Sequence, residues 1–252
     1  MEASWLETYY SALEFVYWEP QHLRGGKSPD PNVKRVDLVN TRLRRLEVTL
    51  NHNLDQFFRL APTALRNQLF EDAFSRKFAD SFELHGRNVD REFALLNSMQ
   101  PDMLFESLSD VVSIEMKIGA KCSVAQVLKY ALLGLAVELT RKKEMTHSLI
   151  ILGRGPFSTL WDEKFGDLAS LESGLRAADM ETFLSKVPSG LRSQTDQFMR
   201  IVHGLQVAFL PYSALKSFLR EQSPASDDTS AGAQVYQKLI SGMIGELSNR
   251  QL

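Results

Sequence analysis

Two apolar strand patterns with a long apolar helix between them constrain the fold of this chain most. Residues 111–117 (VVSIEMK) and residues 147–153 (HSLIILG) each have the composition of a short, buried strand. Between them, Ser123 is placed to cap a helix that continues to about Arg141–Lys143, where cations complement the helix dipole. This order of strand, helix and strand predicts a parallel crossover in an α/β sheet.

The remaining periodicity extends this unit into a mixed sheet. Further short strands are predicted at residues 91–96, 102–105 and 205–210. Helices are predicted at residues 4–18, 33–58, 63–79, within 161–203, from Ser213, and at 233–249. The predicted fold class is therefore α/β: a mixed central sheet flanked by helices, with extra helices at both ends.

Loop-forming residues divide the chain. Prolines and paired glycines make residues 19–32 a predicted loop, and small polar residues make residues 223–232 a predicted flexible linker. We therefore predict an N-terminal helical region at residues 1–60, a core at residues 61–222, that linker, and a C-terminal helix at residues 233–252.

Composition indicates a folded chain in a reducing compartment. With 252 residues, of which 44% are hydrophobic, the chain can bury a substantial core. The net charge of −2 means that a nucleic-acid site must be a local patch. The only cysteine, Cys122, excludes an internal disulfide, and the N-terminus lacks the pattern of a signal peptide. No apolar run is long enough to span a bilayer, so we expect a cytoplasmic protein without a membrane partner.

Polar residues with hydrolytic chemistry follow one another around the predicted crossover. Pro101-Asp102 opens one strand, Glu115-x-Lys117 ends the next, and Gln126-x-x-x-Tyr130 lies on the helix. Glu115 and Lys117 project from one strand face, because side chains alternate with period two. Two carboxylates are ligands that Mg²⁺ prefers, and a lysine beside them can position or deprotonate water and offset charge on a phosphate. The pattern favours a metal-dependent phosphodiester hydrolase.

These motifs resemble those of the PD-(D/E)xK nuclease superfamily, and the Gln-x-x-x-Tyr element resembles the branch with nuclease domains attached to recombination helicases. The motif resemblance covers residues 100–130, and the order of elements extends it over residues 62–220. It implies a restriction-endonuclease-like fold. It implies that Asp102 and Glu115 hold Mg²⁺ or Mn²⁺, with the carbonyl of Met116 as a further ligand. It also implies that Lys117 activates the attacking water. The remaining motif residues, Gln126 and Tyr130, would complete the site.

The resemblance implies a third acid on the helix before the sheet, and Glu71 is the best candidate. It lies at the border of a helix face that carries Phe70, Phe74 and Phe78, so we expect it to point toward the sheet. The competing acids nearby in sequence are Asp72, Glu83 and Glu92.

Each motif also has a structural interpretation. Pro-Asp is common where a turn opens a strand. Glu115 and Lys117 could form a salt bridge, or both could be solvated. Tyr130 could be a core residue, with Gln126 an incidental polar residue at the start of the helix. Two other acids, Glu106 and Asp110, are expected to be solvated turn residues, and Cys122 to be a small buried residue.

We expect a Mg²⁺-dependent nuclease that acts on DNA, with RNA as the other substrate class. One alternative is a non-catalytic DNA-binding or scaffold protein on the same fold. A second is an adaptor of an unrelated α/β fold, which would place Asp102 far from Glu115. The terminal helices are candidates for a homodimer contact or for binding a protein partner.

Overall fold

The computed structural model describes residues 4–16, 47–85, 101–187, 189–224 and 230–252. Contacts group residues 1–61 with residues 215–252 into one compact unit and residues 62–214 into a second. Within the described ranges, no helix has both the length and the apolar character needed to cross a membrane.

The described residues form ten α-helices, one 3₁₀ turn and five strands. The strands are β1 (Glu83–Leu84), β2 (Met103–Glu106), β3 (Asp110–Lys117), β4 (Thr146–Gly153) and β5 (Gln206–Pro211). The first five helices are α1 (Trp5–Val16), α2 (Glu47–Leu60), α3 (Thr63–Phe74), α4 (Val124–Arg141) and α5 (Leu168–Arg176). The others are α6 (Met180–Ser185), α7 (Ser189–Arg192), α8 (Thr195–Gly204), α9 (Tyr212–Glu221) and α10 (Ala231–Asn249). The 3₁₀ turn is Phe157–Thr159.

Helices α1, α2 and α10 pack together in the first of these units around a buried polar cluster. The Tyr10 hydroxyl donates to Glu246, and the Arg250 Nε donates to the same carboxylate at 2.6 Å. Asn53 donates to the Tyr10 hydroxyl at 3.1 Å. Because a buried charge is costly unless it is paired, these contacts specify how the three helices meet.

The second unit is built on a mixed sheet with strand order β1-β2-β3-β4-β5. Strands β1, β2 and β3 pair antiparallel, with Met103 opposite Ile114 in the β2–β3 ladder. Strands β3, β4 and β5 run parallel, with Lys117 opposite Gly153. Parallel neighbours need a crossover, and α4 supplies it between β3 and β4. The α/β class with a mixed sheet is therefore confirmed.

Helix α4 forms where the sequence predicts it and is the centre of the core. The Ser123 hydroxyl accepts the backbone N–H of Gln126 at 3.3 Å, and Lys142 ends the helix in the left-handed conformation, with φ of 54°. Its apolar residues, such as Val127, Leu133 and Val137, are almost fully buried. Burial of this kind contributes roughly 1.5–3 kcal/mol for each large side chain.

The C-terminal ends of the parallel strands lie at one edge of the sheet. The three parallel strands β3, β4 and β5 all finish there, and β2, which is antiparallel to β3, begins there. The start of β2 and the end of β3 therefore carry Asp102 and Glu115 to the same edge.

Several predicted boundaries are wrong, and each has a local cause. The helix predicted at residues 63–79 ends at Phe74, because Ser75 turns left-handed with φ of 52° and its N–H bonds to the carbonyl of Glu71. The helical region predicted from residue 161 begins at Leu168 instead. It is broken into four helices, two of them started by side chains that act as N-caps, Asp167 and Asp179.

The short strand β1 was not predicted, because two residues are too few to show an alternation of apolar and polar side chains. The C-terminal helix begins at Ala231, two residues earlier than predicted, where Ser230 caps it. The loop at residues 19–32, the strand at residues 91–96 and the first part of the helix at residues 33–58 were also predicted, and these lie outside the described residues.

Candidate active site at the sheet edge

Asp102 lies directly before β2, and its side chain accepts a backbone N–H of β3. Its Oδ2 accepts the backbone N–H of Met116 at 2.7 Å. The β2–β3 ladder ends with Met103 opposite Ile114, so Asp102 directly precedes this pair and Glu115 directly follows it. The charges of Asp102 and Glu115 both raise the pKa of Tyr130, so both acids lie near this residue.

Glu115 is buried, with 6% of the residue exposed, and it accepts hydrogen bonds from three side chains. Lys117 Nζ lies 2.5 Å from Oε1, and the amide of Gln126 donates to the same oxygen. The Tyr130 hydroxyl donates to Oε2. A carboxylate without such partners would be costly to bury or would take up a proton.

Lys117 is as buried as its partner, with 8% of each side chain exposed. The two residues share a strand face because they are two apart. The structure thus excludes the interpretation that both are solvated. A buried ion pair remains, which suits a catalytic role and a structural one alike.

The helix supplies the other two donors from one of its faces. Gln126 and Tyr130 are four residues apart and therefore lie one above the other on α4. Burial raises the pKa of Tyr130 well above its ordinary value, and the charges of Glu115 and Asp102 raise it further. Tyr130 therefore stays a neutral phenol that donates to Glu115.

Cys122 borders the same cluster, although the sequence marks it only as a buried residue. Burial raises the pKa of its thiol to about 12, and the negative charge of Glu115 adds to this effect. The thiol stays protonated and is therefore no nucleophile at neutral pH. No sequence signal placed it here, because Cys122 lies before the N-cap Ser123 and outside the helical repeat of α4.

The structure does not bring Glu71 to this cluster. Its carboxylate instead binds the Lys77 ammonium and accepts the backbone N–H of Phe78 at 3.5 Å. The hydrogen bond and charge of Lys77 lower the pKa of Glu71, and these contacts close the turn after α3. We expected Glu71 to point toward the sheet as a third acid. Within the described residues, however, its carboxylate has no contact with Asp102 or Glu115.

The competing acids are not gathered there either. Asp72 accepts from Gln68 on its own helix at 2.6 Å, and Glu83 lies exposed on β1 opposite Glu106. Glu92 lies outside the described residues. Within the described ranges, no group of three or more His, Cys, Asp or Glu side chains is arranged to hold a metal ion. The acid pair is what the structure assembles.

Two acids expected to be solvated turn residues are structural ones. Asp110 is buried, and its carboxylate binds the Arg76 guanidinium at 2.8 Å. Glu106 binds Arg141 at 2.6 Å and His85 at 2.9 Å. Burial opposes ionisation of Glu106, but the hydrogen bonds and charges of His85 and Arg141 outweigh it and hold the pKa at about 2. Tertiary partners distant in sequence decide both cases.

Comparison with known proteins adds no relative. No protein-family model, no curated protein and no solved structure matches the chain. The chemistry of the site must therefore be judged from its own residues.

Proposed function

We propose that this protein is a metal-dependent nuclease of the PD-(D/E)xK type that hydrolyses phosphodiester bonds in DNA. One observation carries the proposal: five residues from three sequence motifs meet at one sheet edge. These residues are Asp102, Glu115, Lys117, Gln126 and Tyr130. The order of a helix, three strands, a crossover helix and a parallel strand adds support, because it is the order of the family that the motifs resemble.

The donor set fits Mg²⁺ or Mn²⁺. Asp102 and Glu115 provide carboxylate oxygens, and Mg²⁺ is held in proteins by one or two carboxylates while it keeps several waters. Glu115 has about four lone-pair sites, and three side chains donate to it. A bound cation would supply Lewis-acid polarisation of the phosphate and a more acidic water. A third acid is not required by this coordination.

Lys117 is the residue that we assign to the chemical step. Its ammonium already lies against the carboxylate of Glu115, so its position does not depend on a flexible chain. The Lys117 ammonium, fixed in this position, would orient the attacking water and offset negative charge that builds on the phosphate. Because this interaction strengthens in the transition state, it raises the turnover rate more than it raises substrate affinity.

Gln126 and Tyr130 hold Glu115 in place. Each donates one hydrogen bond to the carboxylate from a rigid helix, so the acid cannot rotate away from Asp102. Tyr130 keeps its proton because burial and the two neighbouring acids raise its pKa. We assign them a positioning role. Their fixed geometry is what an active site built on regular elements requires.

The site has two sides of different exposure. Glu115 and Lys117 are buried, whereas Asp102 and Gln126 are partly exposed. A polymeric substrate would therefore approach from the side of Asp102. We name DNA as the substrate class from the resemblance, with RNA as the alternative that the same chemistry allows. A homodimer or protein partner at the terminal helices stays a prediction.

A second candidate is a scaffold or non-catalytic DNA-binding protein on the same fold. Its support is that both acids already have internal partners. Asp102 accepts the N–H of Met116, and Glu115 is paired with Lys117. Buried ion pairs of this kind occur without catalysis. In this case divalent cations would bind no more tightly to the parent than to a variant without Asp102.

The decisive experiment is cleavage of plasmid DNA and of a labelled single strand by the purified full chain. We expect nicking or degradation with Mg²⁺ or Mn²⁺, and none with a chelator. Lys117→Ala should slow cleavage by on the order of 10²-fold or more, as removal of other transition-state donors does. Lys142→Ala is the matched control, because Lys142 is an exposed lysine at the far end of α4.

Thermal melting without nucleic acid checks that both variants fold. Folded Lys117→Ala that cleaves at the parent rate would exclude the proposed mechanism. If the parent cleaves neither DNA nor RNA, and neither cation changes its melting temperature, the scaffold interpretation is favoured. Parallel assays on RNA separate the two substrate classes.

A further inference from the structure

The two carboxylate oxygens of Glu115 differ in how many donors they accept. Oε1 lies 2.5 Å from the Lys117 ammonium and also accepts the amide of Gln126. The Tyr130 hydroxyl donates to Oε2. Because each carboxylate oxygen has about two lone-pair sites, the two donors on Oε1 fill that oxygen. The side of Glu115 that keeps capacity for a metal ion is therefore that of Oε2.

Lys117 is the only charged group among these three donors. Gln126 and Tyr130 are neutral and fix the orientation of the carboxylate. A divalent ion such as Mg²⁺ on Oε1 would have to lie about 2.0–2.1 Å from it, on the side where the ammonium and the amide already stand. Only 8% of each side chain of the ion pair is exposed, so water screens the charge of Lys117 weakly. The ammonium thus stands where a second ion on this carboxylate would stand.

The net charge of the cluster also suits one divalent ion. Asp102 and Glu115 bring two negative charges and Lys117 brings one positive charge, so one negative charge remains. One divalent ion turns this into a single positive charge, which matches the negative charge of a phosphodiester. A second divalent ion would add two more positive charges at a buried position, where an excess of unpaired charge is costly.

No further acid joins the pair within the described residues. Glu71 binds Lys77, and no group of three or more His, Cys, Asp or Glu side chains is arranged for a metal ion in these ranges. Glu163, which lies against the start of α4, accepts a backbone N–H there at 3.2 Å. A second ion would therefore have to share Asp102 and Glu115 with the first.

We propose that Lys117 takes the place of a second metal ion, so that the active site binds one divalent cation per chain in the absence of nucleic acid. Asp102 and the Oε2 side of Glu115 hold that ion, and Lys117 stays on Oε1. Sites with two metal ions place them about 3.5–4 Å apart on shared ligands, and here one of the two charges belongs to the protein. The inference rests on the proposed nuclease function, because it concerns the same acid pair.

The first test counts the ions on the purified full chain without nucleic acid. Titration with Mn²⁺, followed by calorimetry and by the electron paramagnetic resonance signal of the free ion, should give one saturable site per chain. Asp102→Asn should abolish this site. Asp72→Asn is the matched control, because Asp72 is an exposed acid on α3, and it should bind Mn²⁺ like the parent.

The outcomes of this count separate the inference from the nuclease proposal. Two sites per chain that both disappear in Asp102→Asn would overturn the inference and leave the nuclease proposal standing. A single site that survives in Asp102→Asn lies elsewhere and also overturns the inference. No saturable site in the parent would remove the metal-dependent nuclease together with the inference.

The second test removes the charge of the ammonium. Lys117→Met keeps a long apolar side chain, and it should tighten Mn²⁺ binding at least about tenfold, because a positive charge beside the ion is lost from a weakly screened position. Lys121→Met is the matched control, since Lys121 is an exposed lysine between β3 and α4. It should change the affinity by less than about twofold, because exposed charges are screened. Parent-like affinity of folded Lys117→Met would show that the ammonium does not share the cation site.

The third test replaces the ammonium by a carboxylate. Lys117→Glu should bind two Mn²⁺ ions per chain, whereas Lys117→Gln, which adds no charge, should bind one. Thermal melting in Mn²⁺ checks that both variants fold, and Lys117→Met decides the question if Lys117→Glu does not. Folded Lys117→Glu that binds only one ion would show that no cation is accepted at this position, and the inference would be wrong.

Discussion

Two buried glutamates near opposite ends of α4 differ in what surrounds them. Glu115 on β3 meets the first turns of the helix, and Glu138 lies in its last turn. Both are almost fully buried, with 6% and 1% of the residue exposed. Each accepts hydrogen bonds from several side chains. Burial and abundant donors are therefore common to both, and neither property distinguishes a candidate active site from a structural cluster.

Glu138 joins three elements. Its Oε1 accepts the backbone N–H of Met145 at 2.9 Å and lies 3.0 Å from His147 Nε2. Its Oε2 accepts from Gln197 at 2.7 Å and from the Arg200 guanidinium on α8. Burial opposes ionisation, but the hydrogen bonds from Gln197, Met145 and His147 outweigh it and lower the pKa of Glu138. The cluster ties α4, β4 and α8 together.

The Glu115 cluster has a second carboxylate nearby. The charges of Asp102 and Glu115 both raise the pKa of Tyr130, and Asp102 and Gln126 are partly exposed. Paired acids at an open sheet edge, and not the number of donors, therefore distinguish the candidate site from the Glu138 cluster. The distinction has consequences for cleavage, stability, pH dependence and helix capping.

The largest expected effect is on cleavage. Asp102→Asn removes one charge but keeps an oxygen for the N–H of Met116, so folding should persist. Cleavage should fall by on the order of 10²–10³-fold, and the gain in melting temperature with Mg²⁺ should disappear. Glu138→Gln is the matched change at the other cluster and should leave the cleavage rate of folded protein almost unchanged. Similar rates for both variants would remove the distinction.

Changes at the Glu138 cluster should lower the stability of the fold rather than the rate of cleavage. Glu138→Ala leaves the Met145 N–H and the ring of His147 without their acceptor, and each such loss costs about 1–3 kcal/mol. We expect unfolding free energy in urea to fall by about 3 kcal/mol. Arg200→Ala should cost under about 1 kcal/mol, because 41% of that side chain is exposed. An equal loss in the two variants would show that the exposed arginine, and not the backbone contact, dominates this cluster.

Acid should weaken the Glu138 cluster in two steps. Burial lowers the pKa of His147 below its ordinary value of 6.5. The neutral ring therefore stabilises the fold above pH 6.5, and this contribution is lost as pH falls from 6.5 toward the lower folded value. The contribution of Glu138 is present above its ordinary pKa of 4.5 and is lost as pH falls through its lower folded pKa.

Denaturation of the parent and of His147→Gln at pH values from 8 to 4 tests this assignment. The parent should lose stability below pH 6.5, and the variant should not until the carboxylates titrate. A variant whose stability falls in step with that of the parent would assign the first step to another group.

The smallest expected effect concerns helix capping. Ser123 accepts the N–H of Gln126, and Ser230 accepts the N–H of Ala233 on α10. Replacing either serine by alanine should lower the unfolding free energy by about 1 kcal/mol. Only Ser123→Ala should also slow cleavage, because it loosens the residue that positions Glu115. Equal cleavage rates in the two variants would show that this cap does not affect the site.

Local pattern was sufficient for much of the sheet unit. The short, largely apolar segments at residues 111–117 and 147–153 and the long apolar run after Ser123 predicted β3, β4 and α4 within two residues. The alternation of side chains along a strand placed Glu115 and Lys117 on one face, and the four-residue step placed Gln126 above Tyr130. These features depend on neighbours in sequence, so sequence alone determined them.

Long-range pairing decided the rest. Asp102 accepts the N–H of Met116 only because β2 pairs with β3 in this register. Glu71 binds Lys77 because Ser75 ends its helix early. Asp110 was predicted to be a solvated turn residue, but in the tertiary structure it binds Arg76, which is distant in sequence. No periodicity encodes which distant cation meets which acid. Such partners are selected by the cost of burying an unpaired charge once the core has formed, and that cost exists only in the tertiary structure.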